Sequence, residues 1–185
     1  MVPLLAQTAT LYTLTVDLSD MDRGVYETLD LRVARHPSET TGYMVMRVLA
    51  YCLEYTEGIA LTEGVSSGDE PAVVVRDLTG RLTTWIEVGM PDAARLHRGM
   101  KLTGRVAVYT HRDIHQLLAQ LGGTKIHRAD EVRIRAFDRH AVEALADALE
   151  RRVSMAVMAG DGEVHVSIGP RSFSLPWSEH RVPSR

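Results

Sequence analysis

Glu87 stands in an apolar run, Leu82–Val88, where a carboxylate needs a reason. Alternation along a strand puts Thr84, Ile86 and Val88 on one face and Trp85 with Glu87 on the other. Upstream, Pro71–Arg76 is a second β-rich run, joined to the first by Asp77-Leu78-Thr79-Gly80, a turn sequence with glycine where φ > 0 falls. If the two runs pair as a hairpin, an even loop is expected to bring Glu70 opposite Glu87, and an odd loop to bring Asp69 onto its face. Two carboxylates on one face of a ladder repel each other unless a cation lies between them. Oxygen ligands without cysteine select a hard divalent ion, Mg²⁺ or Mn²⁺, over zinc. The competing assignment is plain: Asp69 and Glu70 as loop acids before an edge strand, and Glu87 as a solvated strand end.

The nearby cations lie on the next expected helix, where Arg95 and Arg98 share a face at i,i+3 and Lys101 falls near the end. Arginine binds phosphate well but does not act as a base; a solvated helix face is the alternative for all three. Only Lys101 and Lys125 are lysines, so chemistry that demands one has two candidates. Glu39 opens a long helix, where it stabilises the N-terminus without any metal. Arg35 and His36, just ahead, could hold a phosphate near the first amides of that helix or lie on the surface. His111 and His115 have i,i+4 spacing without the intervening glutamate of HExxH, and read as surface histidines. Cys52, Met44 and Met46 fall among apolar neighbours and read as core. Serine-hydrolase, P-loop and dinucleotide signatures are absent.

The elements that must position these residues follow from periodicity. Residues 11–34 read as an antiparallel hairpin, turning at Ser19–Gly24. A helix is expected from His36-Pro37-Ser38-Glu39 to about Tyr55, then a short strand at 59–63, a loop at Gly64–Gly68 and the two strands of the hairpin above. Helix 91–100, strand 105–109, helix 113–121, strand 131–137, helix 139–150 and a hairpin of 153–158 with 163–168 complete the chain. The class is α/β, with α+β open: a mixed central sheet flanked by helices, in one domain over residues 1–185.

Composition sets outer bounds. With 185 residues, 45% apolar and 24% charged, the chain can bury a real core and is no disordered regulator. A net charge of −3 means that DNA or RNA could be held only by a local basic patch. A single cysteine, no signal-like start at Met1-Val-Pro-Leu-Leu-Ala and no apolar run near ~18 residues point to the cytoplasm, with no membrane partner.

His36-Pro37-Ser38-Glu39-Thr40, Asp69-Glu70-Pro71 and Trp85-Ile86-Glu87-Val88-Gly89-Met90-Pro91-Asp92 resemble the characteristic stretches of the bacterial YaeQ family, a likeness running through nearly the whole chain. The resemblance implies a variant of the PD-(D/E)xK nuclease fold: an α-β-β-β-α-β core, with extra hairpins at both ends here. It implies Mg²⁺- or Mn²⁺-dependent cleavage of a nucleic-acid phosphodiester. Glu87 and either Asp69 or Glu70 would be direct ligands, and Glu39 a ligand through water. Two residues after the acid, where that motif carries lysine, this chain has Gly89. Arg98 or Lys101 would then supply the missing cation, with Arg35, His36 and Arg95 as further phosphate contacts. A non-catalytic nucleic-acid- or protein-binding regulator on a degenerate nuclease scaffold is the alternative that Gly89 and the net charge favour.

Overall fold

The computed structural model describes residues 8–63 and 68–183; the expected Gly64–Ser67 portion of the loop lies outside them. In chain order the elements are β1 (Thr10–Asp20), β2 (Val25–Arg35), α1 (Thr41–Leu53), β3 (Ile59–Leu61), β4 (Val73–Arg76), β5 (Leu82–Val88), α2 (Ala93–Thr103), β6 (Val106–Thr110), α3 (Ile114–Leu121), β7 (Arg133–Phe137), α4 (Arg139–Ala148), β8 (Arg152–Gly160), β9 (Glu163–Ile168) and β10 (Arg171–Arg181). All strands join one mixed sheet in the order β2-β1-β8-β9-β10-β7-β6-β5-β4-β3. The neighbours β1/β8, β5/β6 and β6/β7 run parallel, and the other pairs antiparallel.

Burial explains which strands alternate in sequence and which do not. β1, β2, β8 and β9 bury every second residue, as strands with one solvated face do. All five residues of β6 are buried, because Ala107 and Tyr109 face the core under α1 and α4 while Val106 and Val108 face Leu96, Met100, Leu117 and Leu121 of α2 and α3. Asp92, Asp113 and Asp138 cap α2, α3 and α4, each accepting from amides in the first turn.

Three expectations change. The long helix begins at Thr41, not at Pro37: Thr40 Oγ1 accepts the Tyr43 amide at 3.1 Å, and the Glu39 amide bonds to His36 O at 2.8 Å, which makes 36–39 a turn. The sheet continues past residue 168 into β10, whose first half pairs with β9 and whose second half, Trp177–Arg181, pairs with β7. Finally, β4 and β5 pair as Val73↔Ile86 and Val74↔Trp85, with a bulge between Val75 and Arg76. Continued by one residue, this register puts Ala72 opposite Glu87, so neither Asp69 nor Glu70 takes the place expected for it.

Helix α1 lies against β2 and also against β3, the two edges of the sheet, so the sheet curls around it. Arg47, in the middle of this apolar helix, donates to Ala34 O of β2 at 3.1 Å and to Thr62 O beyond β3 at 2.8 Å.

Candidate functional site

The end of β5 and the start of α2 meet the first turn of α1 around a cavity of about 380 Å³, lined among others by Tyr43, Glu70, Glu87, Asp92 and Arg95. Glu87 shares the α2 side of the sheet with Trp85, as period two requires, and is only 4% exposed. Its Oε1 accepts from Trp85 Nε1 at 2.8 Å and from Arg95 Nε at 2.9 Å. Burial pushes the Glu87 carboxyl above the ordinary carboxylate range, and Arg95 and the indole only partly counter it.

Arg95 gives the site its form. Besides Glu87, its Nη1 donates to Gly68 O at 2.8 Å and its Nη2 to Glu70 O at 2.7 Å. One carboxylate and two carbonyls thus converge on a guanidinium, an all-oxygen set of the kind a hard cation takes. Arg98, on the same face of α2, lies 6.0 Å from the Trp85 ring centroid and bonds to Asp69 Oδ1 at 3.0 Å. Lys101 is exposed in the last turn of α2.

The four expected acids do not come together. The Glu39 carboxylate is buried against Arg47, 3.2 Å away, at side-chain exposures of 0% and 1%. Asp69 is 87% exposed beside Arg98. Glu70 borders the cavity, with its carboxylate 3.7 Å from Arg76 Nη2. Among the described residues no group of three or more His, Cys, Asp or Glu is placed to hold a metal. Among the described residues the Arg95 guanidinium fills this oxygen cage, and the side chains as placed there do not fit a divalent ion.

The remaining candidates have other partners. Arg35 Nη1 donates to Glu39 O at 2.8 Å, and His36 Nδ1 lies 2.7 Å from Ser38 Oγ, which commits both to the turn before α1. His111 is not a surface residue: it is buried, with Nε2 against Gly42, where a Cβ would be 3.2 Å away, and burial lowers its pKa. Cys52, Met44 and Met46 are buried as expected, and burial pushes the Cys52 thiol up to about 12.

Gly89 has φ +86°, and a Cβ there would be 3.3 Å from Tyr43 Cε2. A lysine at this position would carry the left-handed penalty and a tight contact to which the ring would have to yield by a few tenths of an ångström. Sequence reasoning missed Tyr43, whose phenol is pushed up to about 12 by burial and by Glu87 and Glu39, and so stays protonated. It also missed Arg47, although one arginine inside Met44–Leu53 was a visible signal of a buried ion pair.

These features define a mixed α/β protein built on one large curled sheet, with a polar cavity where β5, α1 and α2 meet. The chain belongs to the YaeQ family: the family model described as YaeQ protein matches residues 5–177. It is 26% identical over 181 residues to YaeQ of Escherichia coli K12, covering 97% of this chain and all of that protein. The crystal structure of YaeQ from Pseudomonas syringae superposes with a TM-score of 0.83 at 32% identity, covering 96% of this chain and 97% of that one. For YaeQ from Xanthomonas axonopodis pv. citri the values are 0.84 and 30%, over 95% and 100%. No helix among the described residues is long and apolar enough to cross a membrane.

Proposed function

We propose that this protein binds nucleic acid on a nuclease-like scaffold whose cation seat is filled from within. The observation that carries this reading is the Arg95 guanidinium, bonded to Glu87 Oε1, Gly68 O and Glu70 O beside the cavity. The succession α1-β3-β4-β5-α2-β6, with β5 and β6 parallel, supports a core of the PD-(D/E)xK type. Gly89, strained for any side chain and covered by Tyr43, supports loss of the lysine that would orient water at a scissile phosphate. A cavity that holds Tyr43 as a neutral donor and Arg95 as a fixed cation is suited to receiving an anionic group.

A second reading, Mg²⁺- or Mn²⁺-dependent hydrolysis of nucleic-acid phosphodiesters, is favoured by Glu70 and Asp92 lining the same cavity as Glu87. Calorimetric titration with Mn²⁺ and incubation with DNA and RNA separate the two. The wild type is expected to show neither Mn²⁺ binding nor cleavage, whereas Arg95→Gln, which removes the guanidinium from its cage, gains Mn²⁺ binding that Arg95→Gln/Glu87→Gln loses. Metal-dependent cleavage by the wild type, removed by chelator and absent in Glu87→Gln, would overturn the binding reading in favour of the enzyme.

A further inference from the structure

The side of the sheet under α1 and α4 carries a second polar cluster, unconnected with the Glu87 cavity. Helix α1 lies over β6 and α4 over β10, which leaves β7 between them. On this face Arg133 and Arg135 of β7 stand beside Tyr109 of β6, and Arg133 pairs directly with Arg181 of β10. Arg105, just before β6, completes a row of four guanidiniums crossing three neighbouring strands.

Their counter-charges fall short. Glu54, at the end of α1 and 6% exposed, accepts from Arg105 Nη2 at 3.1 Å, from Arg133 Nη2 at 3.0 Å and from the Tyr109 hydroxyl at 2.7 Å. Glu179 lies 3.8 Å from Arg135 Nε and 3.2 Å from Arg181 Nη2. Glu131 gives Arg181 only its carbonyl, since its carboxylate is bound to Arg128. Among the described residues four arginines therefore share two carboxylates, which leaves an excess of two positive charges. Like charges directly opposite in a ladder are destabilising. A protein that places Arg133 against Arg181 and then fixes the surrounding guanidiniums has prepared a surface for an anion.

The fixing is strong. Arg135 lies 4.3 Å from the Trp177 ring centroid and 5.8 Å from that of Tyr109, and its Nη1 donates to the Tyr109 hydroxyl at 3.3 Å. Arg105 and Arg181 keep 59% and 47% of their side chains exposed, and Arg133 and Arg135 keep 26% and 19%. Two strand spacings, roughly 10 Å, separate the outer members. That reach exceeds a single phosphate and suits successive phosphates of one strand.

We infer that Arg105, Arg133, Arg135 and Arg181 bind the sugar–phosphate backbone of a nucleic-acid strand, at a surface separate from the Glu87 cavity. The inference rests on the nucleic-acid reading above and gives that ligand a second contact surface, beyond the cavity.

The test is fluorescence anisotropy of labelled single-stranded DNA and RNA against the full chain, with chelator present, over a salt series. The wild type is expected to bind saturably. Arg105→Gln/Arg181→Gln should weaken binding roughly tenfold or more and make the slope of log K against log salt shallower by about 1.4, at ~0.7 per lost single-strand contact. Arg105→Lys/Arg181→Lys should restore most of that slope. Arg151→Gln/Arg171→Gln, the same charge change at other exposed positions, should leave affinity within about twofold. Circular dichroism and melting show that each variant is folded. Binding that the two glutamine pairs weaken equally would overturn this surface and leave the nucleic-acid reading standing. No saturable binding by the wild type at low salt would overturn both. Displacement of the oligonucleotide by inorganic phosphate, with a salt slope of a single contact, would reduce the surface to a small-anion site and overturn the strand assignment.

Discussion

Glu87 is a carboxylate whose surroundings pull in opposite directions: burial favours the proton, while Arg95 and the Trp85 indole favour the charge. Burial wins, so the folded pKa lies above the unfolded value of about 4.3. Below that value the group is protonated in both states, and its contribution to stability is fully present. As pH rises towards the folded pKa, the unfolded chain releases the proton first and the contribution is lost. Melting curves across the acid range should therefore show part of the wild-type stability falling with rising pH, and Glu87→Gln should lack that part. A Glu87→Gln profile parallel to the wild type would mean that Glu87 ionises as freely folded as unfolded.

The cage around Arg95 depends on how closely α2 approaches β5. Gly99 makes that approach possible, because a Cβ at this position would lie 2.6 Å from Trp85 Cγ. Alanine is the better helix former by roughly 0.5–1 kcal/mol, whereas overpacking costs about 1–3 kcal/mol. Gly99→Ala should thus be destabilising by about 1–2 kcal/mol in urea unfolding, against the helix-propensity order. It should also loosen the Trp85 indole, which tryptophan fluorescence reports; a stabilised variant with unchanged emission would show that the contact is not tight.

Much at this scale was legible from the chain. Strands with one wet face alternate, so β1, β2, β8 and β9 could be read directly, and period two put Glu87 with Trp85. Helical spacing put Arg95 and Arg98 on one face, where both do reach towards the residues 68–70. The place of Glu70 was not legible, because a β-bulge at Val75/Arg76 sets the hairpin register and no spacing rule shows a bulge. β10 was missed although Phe173, Leu175 and Trp177 alternate, since Pro176 sits where a central strand would need an amide donor. The chain resolves that conflict by changing partner there, from β9 to β7.

For the molecule as a whole, Arg47 fastens the two edges of the curled sheet through α1, and Glu39 balances its charge in the interior. Removing one member of a buried pair costs about 3–5 kcal/mol, because the other is left charged in a poor solvent. Arg47→Met should show a loss of that order in denaturant unfolding, and adding Glu39→Gln should recover more than half of it. If the double variant is no better than the single one, the guanidinium matters for the edge carbonyls and not for the carboxylate.

The parallel pairing of β1 with β8 has a consequence during synthesis. The hairpin of β1 and β2 is complete at Arg35, yet the strand that covers the other side of β1 begins only at Arg152. At ~5–20 residues per second, the 116 residues between them take about 6–23 s to emerge. Throughout that interval β1 offers a row of unpaired amides and carbonyls, so the nascent chain carries an open edge that any β-rich neighbour can capture. Productive folding is a race that the N-terminal hairpin must sit out until β8, the first of the last three strands, arrives.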